Sequence, residues 1–410
     1  MSTTDDWTSQ QRVLAEQLQA NGMVQTTAVF EAFCTIPRHL FLPDTPLDLV
    51  YSDRVIATKF AAGESISSSS QPAIMAIMLE QLELQPGHRV LEIGAGTGFN
   101  AALMAHIVGA GGHVTTIDLD DDIVAAAQTH LAAAGVTNVT VCCHDGSEGY
   151  AANAPYDRIV LTVGSWDIFP AWWAQLRENG RLLLPLSLNG PQAAVAFDKK
   201  GAQLHSVSVA GCGFMRQRGP HAEPLQQLAL GSDSGVSLHH MVRPGLPDAD
   251  TIWPWLLQIP LKLPLPVTTT ASALWRSFRL WLAVATEQSC LLEVHDRPDL
   301  GLPALLQSDS GKTWQLAAGL LAADGLAVVG RAAGTSDDLV ILAFGPGQTA
   351  VSHQLYTQLI RWHAAGTPDL NQLRLIALPA ATPLPDGEFM VLKRPFSTFL
   401  CHWETVTSKQ

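Results

Sequence analysis

The sequence predicts an α/β protein, with a Rossmann-like doubly wound sheet in its first part and a second, smaller α/β domain at the C-terminus. Three observations carry this. From Arg89 onward, short apolar runs alternate with helical ones, the pattern of buried strands joined by helices in a mostly parallel sheet. The first of these runs ends in Gly94-Ala95-Gly96-Thr97-Gly98, a glycine turn opening a helix. A Gly/Pro/Ser stretch over 231–266 then interrupts the pattern, and seven of the 11 Trp lie in or beyond it, at 253, 255, 275, 281, 314, 362 and 403.

The elements follow in order. Trp7 to Ala20 reads as a helix, with Val13, Leu14 and Leu18 on one face and Asn21-Gly22 as its stop. A second helix spans Thr26 to Cys34 and ends before Pro37. A polar, serine-rich loop is expected at Glu64–Ser70, after which Gln71-Pro72 opens an apolar helix; proline suits a helix start because its missing N–H would have no partner there. Strands are expected at Arg89–Ile93, His113–Ile117, Val139–Cys143, Arg158–Val163 and Arg181–Leu186, and helices at Asn100–Val108 and Asp122–Ala134. Ala193–Phe197 and Leu204–Val209 flank the turn Lys199-Lys200-Gly201 as a hairpin. Beyond the interruption come a helix near Leu274–Ala285, strands near Leu326–Val329, Leu339–Phe344, Leu373–Leu378 and Phe389–Leu392, and an apolar helix closed by Trp362. The expected division is residues 1–230 as the first domain, with helices over 1–80 shaping one side of its site, 231–266 as linker or crossover, and 267–410 as a C-terminal module that holds peptide or forms a dimer contact.

Composition bounds the function. A chain of 410 residues suits two or three domains at roughly 100–200 residues each. Hydrophobic residues make up 47% and mean hydropathy is +0.16, which excludes global disorder. Net charge is −13, from 24 Lys+Arg against 37 Asp+Glu, which argues against a broad nucleic-acid or anionic-membrane surface. The polar, acidic start lacks the basic and apolar regions of a signal peptide, and no apolar run reaches the roughly 18 residues that span a bilayer, so a cytoplasmic protein, monomer or homodimer, is expected. The six Cys lie scattered in apolar contexts as free thiols. Adjacent Cys142 and Cys143 on a strand would face opposite ways, so no metal site is expected there.

The chemistry centres on the glycine loop. A dinucleotide fingerprint would read G-x-G-x-x-G/A, but here the sixth position is Phe99, and the spacing is G-x-G-x-G preceded by Glu92. Asp118, followed by Leu119, ends the next strand, where a carboxylate can accept both ribose hydroxyls of a nucleoside. Asp145-Gly146 ends the third strand, where a carboxylate can accept the N6 amine of adenine. All three lie at the carboxyl ends of adjacent strands, where open α/β sheets bind ligands. Together they describe an adenosine-bearing ligand with no required pyrophosphate: S-adenosyl-L-methionine, leaving as S-adenosyl-L-homocysteine. Two other motifs are decoys. Gly311-Lys312-Thr313 echoes a phosphate loop but has Leu306 where the leading glycine belongs. His239-His240 lies in irregular sequence with no partner at ligand spacing and is expected at the surface.

Ile36-Pro37-Arg38-His39-Leu40-Phe41-Leu42-Pro43, Tyr51-Ser52-Asp53-Arg54, Ser70-Gln71-Pro72 and Val90–Gly98 resemble, in order and spacing, the protein-L-isoaspartate O-methyltransferases. The resemblance covers about half the chain and implies a Rossmann-like S-adenosylmethionine methyltransferase domain acting on a peptide or protein that bears Asp or isoAsp. It implies that Ser70 binds the carboxylate to be methylated, with Ser69 and Gln71 beside it, and that Glu92, Gly94, Gly96, Thr97, Gly98, Asp118, Leu119, Asp145 and Gly146 hold the cofactor. The ester would collapse to a succinimide and open to isoaspartate. Two stretches depart from the family pattern: Ser67-Ser68-Ser69 before Ser70, and Thr162-Val163-Gly164-Ser165-Trp166-Asp167 after the fourth strand. With the long C-terminal extension, they make the chain similar to the branch that methylates an ordinary aspartate in a ribosomally made, lanthipeptide-like peptide; general repair of damaged proteins is the alternative. A non-catalytic S-adenosylmethionine-binding scaffold is the alternative of another class. Gly164 and Trp166 are expected to flank the peptide, while Trp172 and Trp173 are expected to pack the next helix. Arg54 and Arg38 could each pair with a peptide carboxylate or serve in ion pairs within the N-terminal segment.

Overall fold

The computed structural model describes residues 4–61, 63–232, 234–297, 300–308, 314–331 and 338–404. The Gly311-Lys312-Thr313 motif lies outside the described residues. Helices α1 (Thr4–Ala20), α2 (Thr27–Thr35) and α3 (Leu47–Val50) lead into a hairpin of β1 (Ile56–Ala61) and β2 (Glu64–Ser69). Then come α4 (Pro72–Leu82), β3 (Arg89–Ile93), α5 (Phe99–Val108), β4 (His113–Asp118), α6 (Asp121–Ala133), β5 (Val139–Cys143), β6 (Tyr156–Leu161), α7 (Pro170–Gln175), β7 (Leu176–Ser187), β8 (Gln192–Lys200) and β9 (Gln203–Cys212). Strands β5-β4-β3-β6-β7 run parallel, and β8 and β9 add antiparallel. The order turns back between β3 and β6, so the crevice of this doubly wound sheet opens at their carboxyl ends.

One core, built from α1, α2, α4 and α5, covers one face of the sheet; Leu14, Phe33, Phe41, Leu79, Phe99 and Leu103 belong to it. The glycine-loop helix α5 is apolar nearly all round and is buried accordingly. The stretch expected as a serine-rich loop is instead strand β2. Ser67 and Ser69 are buried on alternate positions, and the Ser67 hydroxyl accepts from Thr58 on β1 at 3.2 Å. Small polar side chains can alternate in and out of a strand without leaving the apolar period that marks one in sequence.

The rest of the chain is interleaved rather than appended. Strands β10 (Leu225–Leu230) and β11 (Val236–Met241), helix α8 (Ala249–Leu256), β12 (Leu261–Pro264), a helical run of α9 (Ala271–Ala273), a π turn (Leu274–Phe278) and α10 (Arg279–Ala285), then β13 (Ser289–His295), β14 (Leu306–Ser308), β15 (Trp314–Leu321), β16 (Leu326–Arg331), β17 (Leu339–Phe344) and α11 (Gln348–Ala364) make a second unit. Its antiparallel sheet has the order β10-β11-β13-β15-β16-β17-β12. The chain then returns: β18 (Leu373–Pro379), β19 (Met390–Lys393) and β20 (Ser397–Trp403) join the first sheet, β18 pairing with β9.

Two expectations are corrected here. The linker over 231–266 holds β11, α8 and β12, and the C-terminal module does not own residues 373–403. Pro264 ends an edge strand, where a proline need not cost a sheet a ladder bond, so a proline-rich stretch can hold a strand. His239-His240 is likewise in a strand, with His240 buried and the His239 Nε2 2.7 Å from Glu293. The late tryptophans knit the parts together: Trp281 stacks on Trp403 at 6.0 Å, and Trp362 is buried and donates to the Ser277 hydroxyl.

The returning strands are tied to the loop after β6 by Asp167, which is fully buried. Its carboxylate accepts from the Ile168 N–H, the Phe396 N–H and the Ser397 hydroxyl. Arg394 donates to the Trp166 carbonyl and to Asn189 Oδ1 beside it. Asp167→Ala strands these donors in the interior, at about 1–3 kcal/mol for an unsatisfied buried group. It should therefore lower unfolding free energy by about 2–4 kcal/mol in urea melts, and amide exchange over 397–403 should accelerate. Unchanged protection in that strand would contradict the tie.

Candidate functional site

A cleft of about 420 Å³ opens at the carboxyl ends of β3, β4, β5 and β6, within the range of small-molecule sites. Its floor is the glycine loop. Gly94 has φ +105°, and a side chain on it would come within 2.5 Å of the Thr162 hydroxyl, so the loop can pass this close to β6 only as glycine. The loop's polar backbone is held from both sides. Gly94 and Ala95 donate to the Ile117 carbonyl at 2.8 and 3.1 Å, and the Thr162 hydroxyl donates to the Gly94 carbonyl at 2.6 Å. Gly96 donates to Asp118 Oδ2 at 3.2 Å, while Leu119 donates to Oδ1 at 2.9 Å. Asp118 is thus oriented at the strand end, lining the cleft with Leu119. Asp145 caps the short turn after β5, accepting from the Ser147 N–H at 2.9 Å and hydroxyl at 2.8 Å. Gly146 lines the cleft next to it, and its carbonyl accepts from the Trp172 indole at 2.8 Å.

Glu92 lies beneath the loop with no exposed surface. Burial pushes its carboxyl up to about 7, against hydrogen bonds from the Thr116 hydroxyl (2.6 Å) and Asn100 amide (2.8 Å) that favour the charged form.

The other wall is the serine run. Arg38, expected either to pair with a peptide carboxylate or to serve in an ion pair of the N-terminal segment, is buried and serves the backbone instead. It donates to the carbonyls of Val50 (2.8 Å), Ser52 (3.2 Å) and Ser70 (3.1 Å) and to the Ser69 hydroxyl (3.2 Å). Ser69 is therefore engaged, whereas the half-buried Ser70 lines the cleft with no hydrogen-bond partner for its hydroxyl among the described residues. Gln71 also lines the cleft, but its amide nitrogen is given to Asp53 at 2.9 Å, and Asp53 receives the Ala73 N–H at 2.8 Å at the start of α4. Cys212, Phe214, Met215, Arg216 and Arg218 complete the walls.

Four expected site residues stand elsewhere. Gly98 faces α6, with Ala127 and Leu131 where a side chain would go. Gly164 sits behind the cleft, exchanging backbone bonds of 2.8 Å with Met215 and Gln217 and so fixing the segment that forms the wall. Trp166 is turned to the returning strands, its indole donating to the His221 carbonyl at 3.0 Å and its ring under the Arg394 guanidinium. Arg54 is exposed beside the cleft-lining Val55. Trp172 and Trp173 pack α7, as expected.

Sequence reasoning missed a set of ion pairs beside the cleft. Lys59 of the hairpin contacts Asp120 at 2.9 Å and Asp122 at 2.7 Å, and Arg218 contacts Asp120 at 2.9 Å. No period or motif joins residues so far apart; the only signal was the acidic run Asp118–Asp122.

Residues 9–217 match the family model described as protein-L-isoaspartate(D-aspartate) O-methyltransferase. Over 179 residues the chain is 40% identical to a protein-L-isoaspartate O-methyltransferase from Thermotoga maritima, a match covering 43% of this chain and 56% of that protein. Relatives of the same description from Ignicoccus hospitalis and Methanopyrus kandleri are 38% and 33% identical, over 81% and 88% of their own lengths and 43% and 49% of this chain. A solved structure described as a protein-L-isoaspartate O-methyltransferase shares the fold over 89% of this chain and 96% of its own, at a TM-score of 0.51 and 23% identity.

Glu92 supplies a test of the site's electrostatics that needs no ligand. A carboxyl raised in the folded state adds stability that is full below about pH 4.5 and is lost as pH rises through about 7. Thermal melts of Glu92→Gln should therefore gain on the wild type between about pH 5 and pH 8, by up to about 3 kcal/mol. A gap independent of pH would refute the raised carboxyl.

Proposed function

The chain belongs to the protein-L-isoaspartate(D-aspartate) O-methyltransferase family, whose members use S-adenosyl-L-methionine, and from that premise we propose that it methylates the side-chain carboxylate of an isoaspartyl or aspartyl residue in a peptide or protein of the cytoplasm. The observation that carries the reading is that Ser70, whose hydroxyl has no partner among the described residues, lines the same cleft as the glycine loop and Asp118.

The residues present suit the cofactor. Asp118 offers a fixed carboxylate for the ribose hydroxyls, Asp145 an acceptor for the adenine amine, and Gly94–Gly96 a backbone close to the amino-acid end. Bound there, the cofactor supplies an electrophilic methyl group on a sulfonium. The acceptor carboxylate has a pKa near about 4 and is already ionised at neutral pH, so no general base is required. The protein's task is to hold one carboxylate oxygen in place and keep water out. Ser70 does the first by donating a neutral hydrogen bond, which orients the oxygen without the strong pairing an arginine would impose. Phe214, Met215 and Ile66 do the second as apolar walls. No described residue beyond Arg218 lines the cleft, and we assign the second sheet to holding the polypeptide or a second copy.

Tailoring of a ribosomally made, lanthipeptide-like peptide is the narrower reading, resting on the departures at 67–70 and 162–167. The C-terminal extension does not favour it, because a solved structure bearing the general description has the same fold over nearly its whole length.

Ser70→Ala should lower methyl transfer to an isoaspartyl peptide by up to about a hundredfold while calorimetric cofactor affinity stays at the wild-type value. Asp118→Ala should do the opposite, weakening cofactor binding by about tenfold or more. Undiminished turnover in the first, or wild-type affinity in the second, would remove the role assigned. Running the wild type on a linear isoaspartyl peptide beside a thioether-bridged peptide with ordinary aspartate separates the two substrate readings by which one gains a methyl mass.

A further inference from the structure

The hairpin of β1 and β2 belongs to neither large sheet. Strand β2 nevertheless supplies Ile66, Ser67, Ser68 and Ser69 to the lining of the cleft. The Ser68 carbonyl is the nearest neighbour that a side chain on Gly96 would meet, at 3.7 Å, so β2 runs close to the glycine loop. Strand β1 is exposed except at Ile56 and Lys59, and Phe60 is 64% exposed. A two-stranded hairpin is marginal in water by itself. Its position therefore depends on what ties it to the rest of the chain.

Among the described residues, the hairpin's hydrogen bonds to the rest of the protein fall at two places. At its base, Arg38 donates to the Ser69 hydroxyl at 3.2 Å, and Ile56 packs on the first core. Farther along, Lys59 donates to Asp120 at 2.9 Å and to Asp122 at 2.7 Å. Asp120 holds the N-cap position of α6, yet its side chain makes no cap bond there. An aspartate at that position ordinarily accepts from the first N–H groups of the helix. Here the Oδ2 atom accepts from Lys59 and from Arg218 instead, and the lysine's hydrogen bond holds the carboxyl below its usual range. Residues 213–218 are another stretch of the cleft lining, and Leu119, next to Asp120, is a third. Neither Lys59 nor Asp120 lines the cleft itself, so both act through the walls they hold.

We propose that Asp120 is a positioning residue of the cofactor site: through Lys59 it latches the β1–β2 hairpin, a flap hinged at Arg38, and release of this latch sets the rate at which the cofactor exchanges. The inference rests on the S-adenosyl-L-methionine reading of the cleft. The strength of the latch suits the task. Lys59 is 29% exposed and Asp122 67%, and ion pairs so open to water are weak and screened by salt. They hold a segment that must open, where a buried network would fix it. The hinge also protects the acceptor side. The Ser70 carbonyl is held by Arg38 at 3.1 Å and the Gln71 amide by Asp53 at 2.9 Å, so the hairpin can swing without carrying Ser70 away.

The test is stopped-flow displacement of S-adenosyl-L-homocysteine from the full chain, at ionic strengths from about 0.05 to about 0.5 M. Dissociation from the wild type should accelerate with salt. Lys59→Met and Asp120→Asn should each release the ligand about threefold faster or more at low salt, the scale of a partly exposed ion pair, and respond little to added salt. Lys59→Arg should restore the wild-type rate and its salt dependence. In the ligand-free protein, amide exchange over 56–61 and 64–69 should quicken in the same two variants while 90–93 of β3 keeps its protection, a contrast that general destabilisation would not produce. Wild-type release rates in both variants, or unchanged exchange in the hairpin, overturn the proposal. A wild type that binds no S-adenosyl-L-homocysteine overturns the cofactor reading together with it, whereas binding with unaltered release removes the latch alone.

Discussion

The site depends first on the burial of Arg38. A guanidinium taken out of water is tolerated only if its donors find acceptors. Here the acceptors are the carbonyls of Val50, Ser52 and Ser70 and the hydroxyl of Ser69, which come from the end of α3 and from the strand leading into α4. Satisfying its two terminal nitrogens therefore brings together two chain segments that share no regular hydrogen bonding. It also sorts the serines: the Ser69 hydroxyl is consumed, the Ser70 carbonyl is consumed, and the Ser70 hydroxyl is left for the cleft. Burial drives the Arg38 pKa down to about 10, still far above neutrality, so this clamp keeps its charge under ordinary conditions.

The second constraint is sheet continuity. The chain leaves the first sheet after β9, builds an entire antiparallel unit, and returns to pair β18 with β9. The return explains why the cores are not separable: Leu280 and Val284 of α10 share a cluster with Leu182, Phe197, Leu375 and Phe399. It also gives Asp167 its purpose. The loop after β6 is pinned from outside by the last strands, Gly164 within that loop pins the 215–217 backbone, and that backbone closes the cleft. The C-terminal strands reach the active site through two hydrogen-bonded contacts while lining none of it.

What was legible in the sequence follows the same division. The glycine loop, Asp118 and Asp145-Gly146 were readable because strand, turn and helix are contiguous in sequence, and a strand end fixes where a carboxylate goes. Ser70 was readable only through the family motif; nothing in a run of four serines distinguishes the free hydroxyl from the engaged one. Trp166 was misread because a residue at the end of a strand can turn to either side of its loop, and the choice was made by Arg394, more than two hundred positions away. The second sheet was only partly legible for a related reason. Strands β11, β13 and β15 pair antiparallel along one path, yet their sequences carry Ser, His, Cys and Glu that break the apolar period of a strand, His239 being matched across strands by Glu293.

The charge pattern around the cleft bears on the chemistry itself. Cations near the mouth, Lys59 and Arg218, would be expected to draw in a carboxylate and then bind it too firmly to react. Both are instead engaged by Asp120, with Asp122 sharing Lys59, and the lysine's hydrogen bond holds the Asp120 carboxyl below its usual range. Arg216, the other cation of the wall, is turned to Glu223. Each of these cations therefore has a carboxylate partner, which suits the role proposed for the neutral Ser70 hydroxyl. The same ion pairs join the hairpin, the start of α6 and the 213–218 segment, so the charges that would compete for a carboxylate are spent in tying these three pieces together.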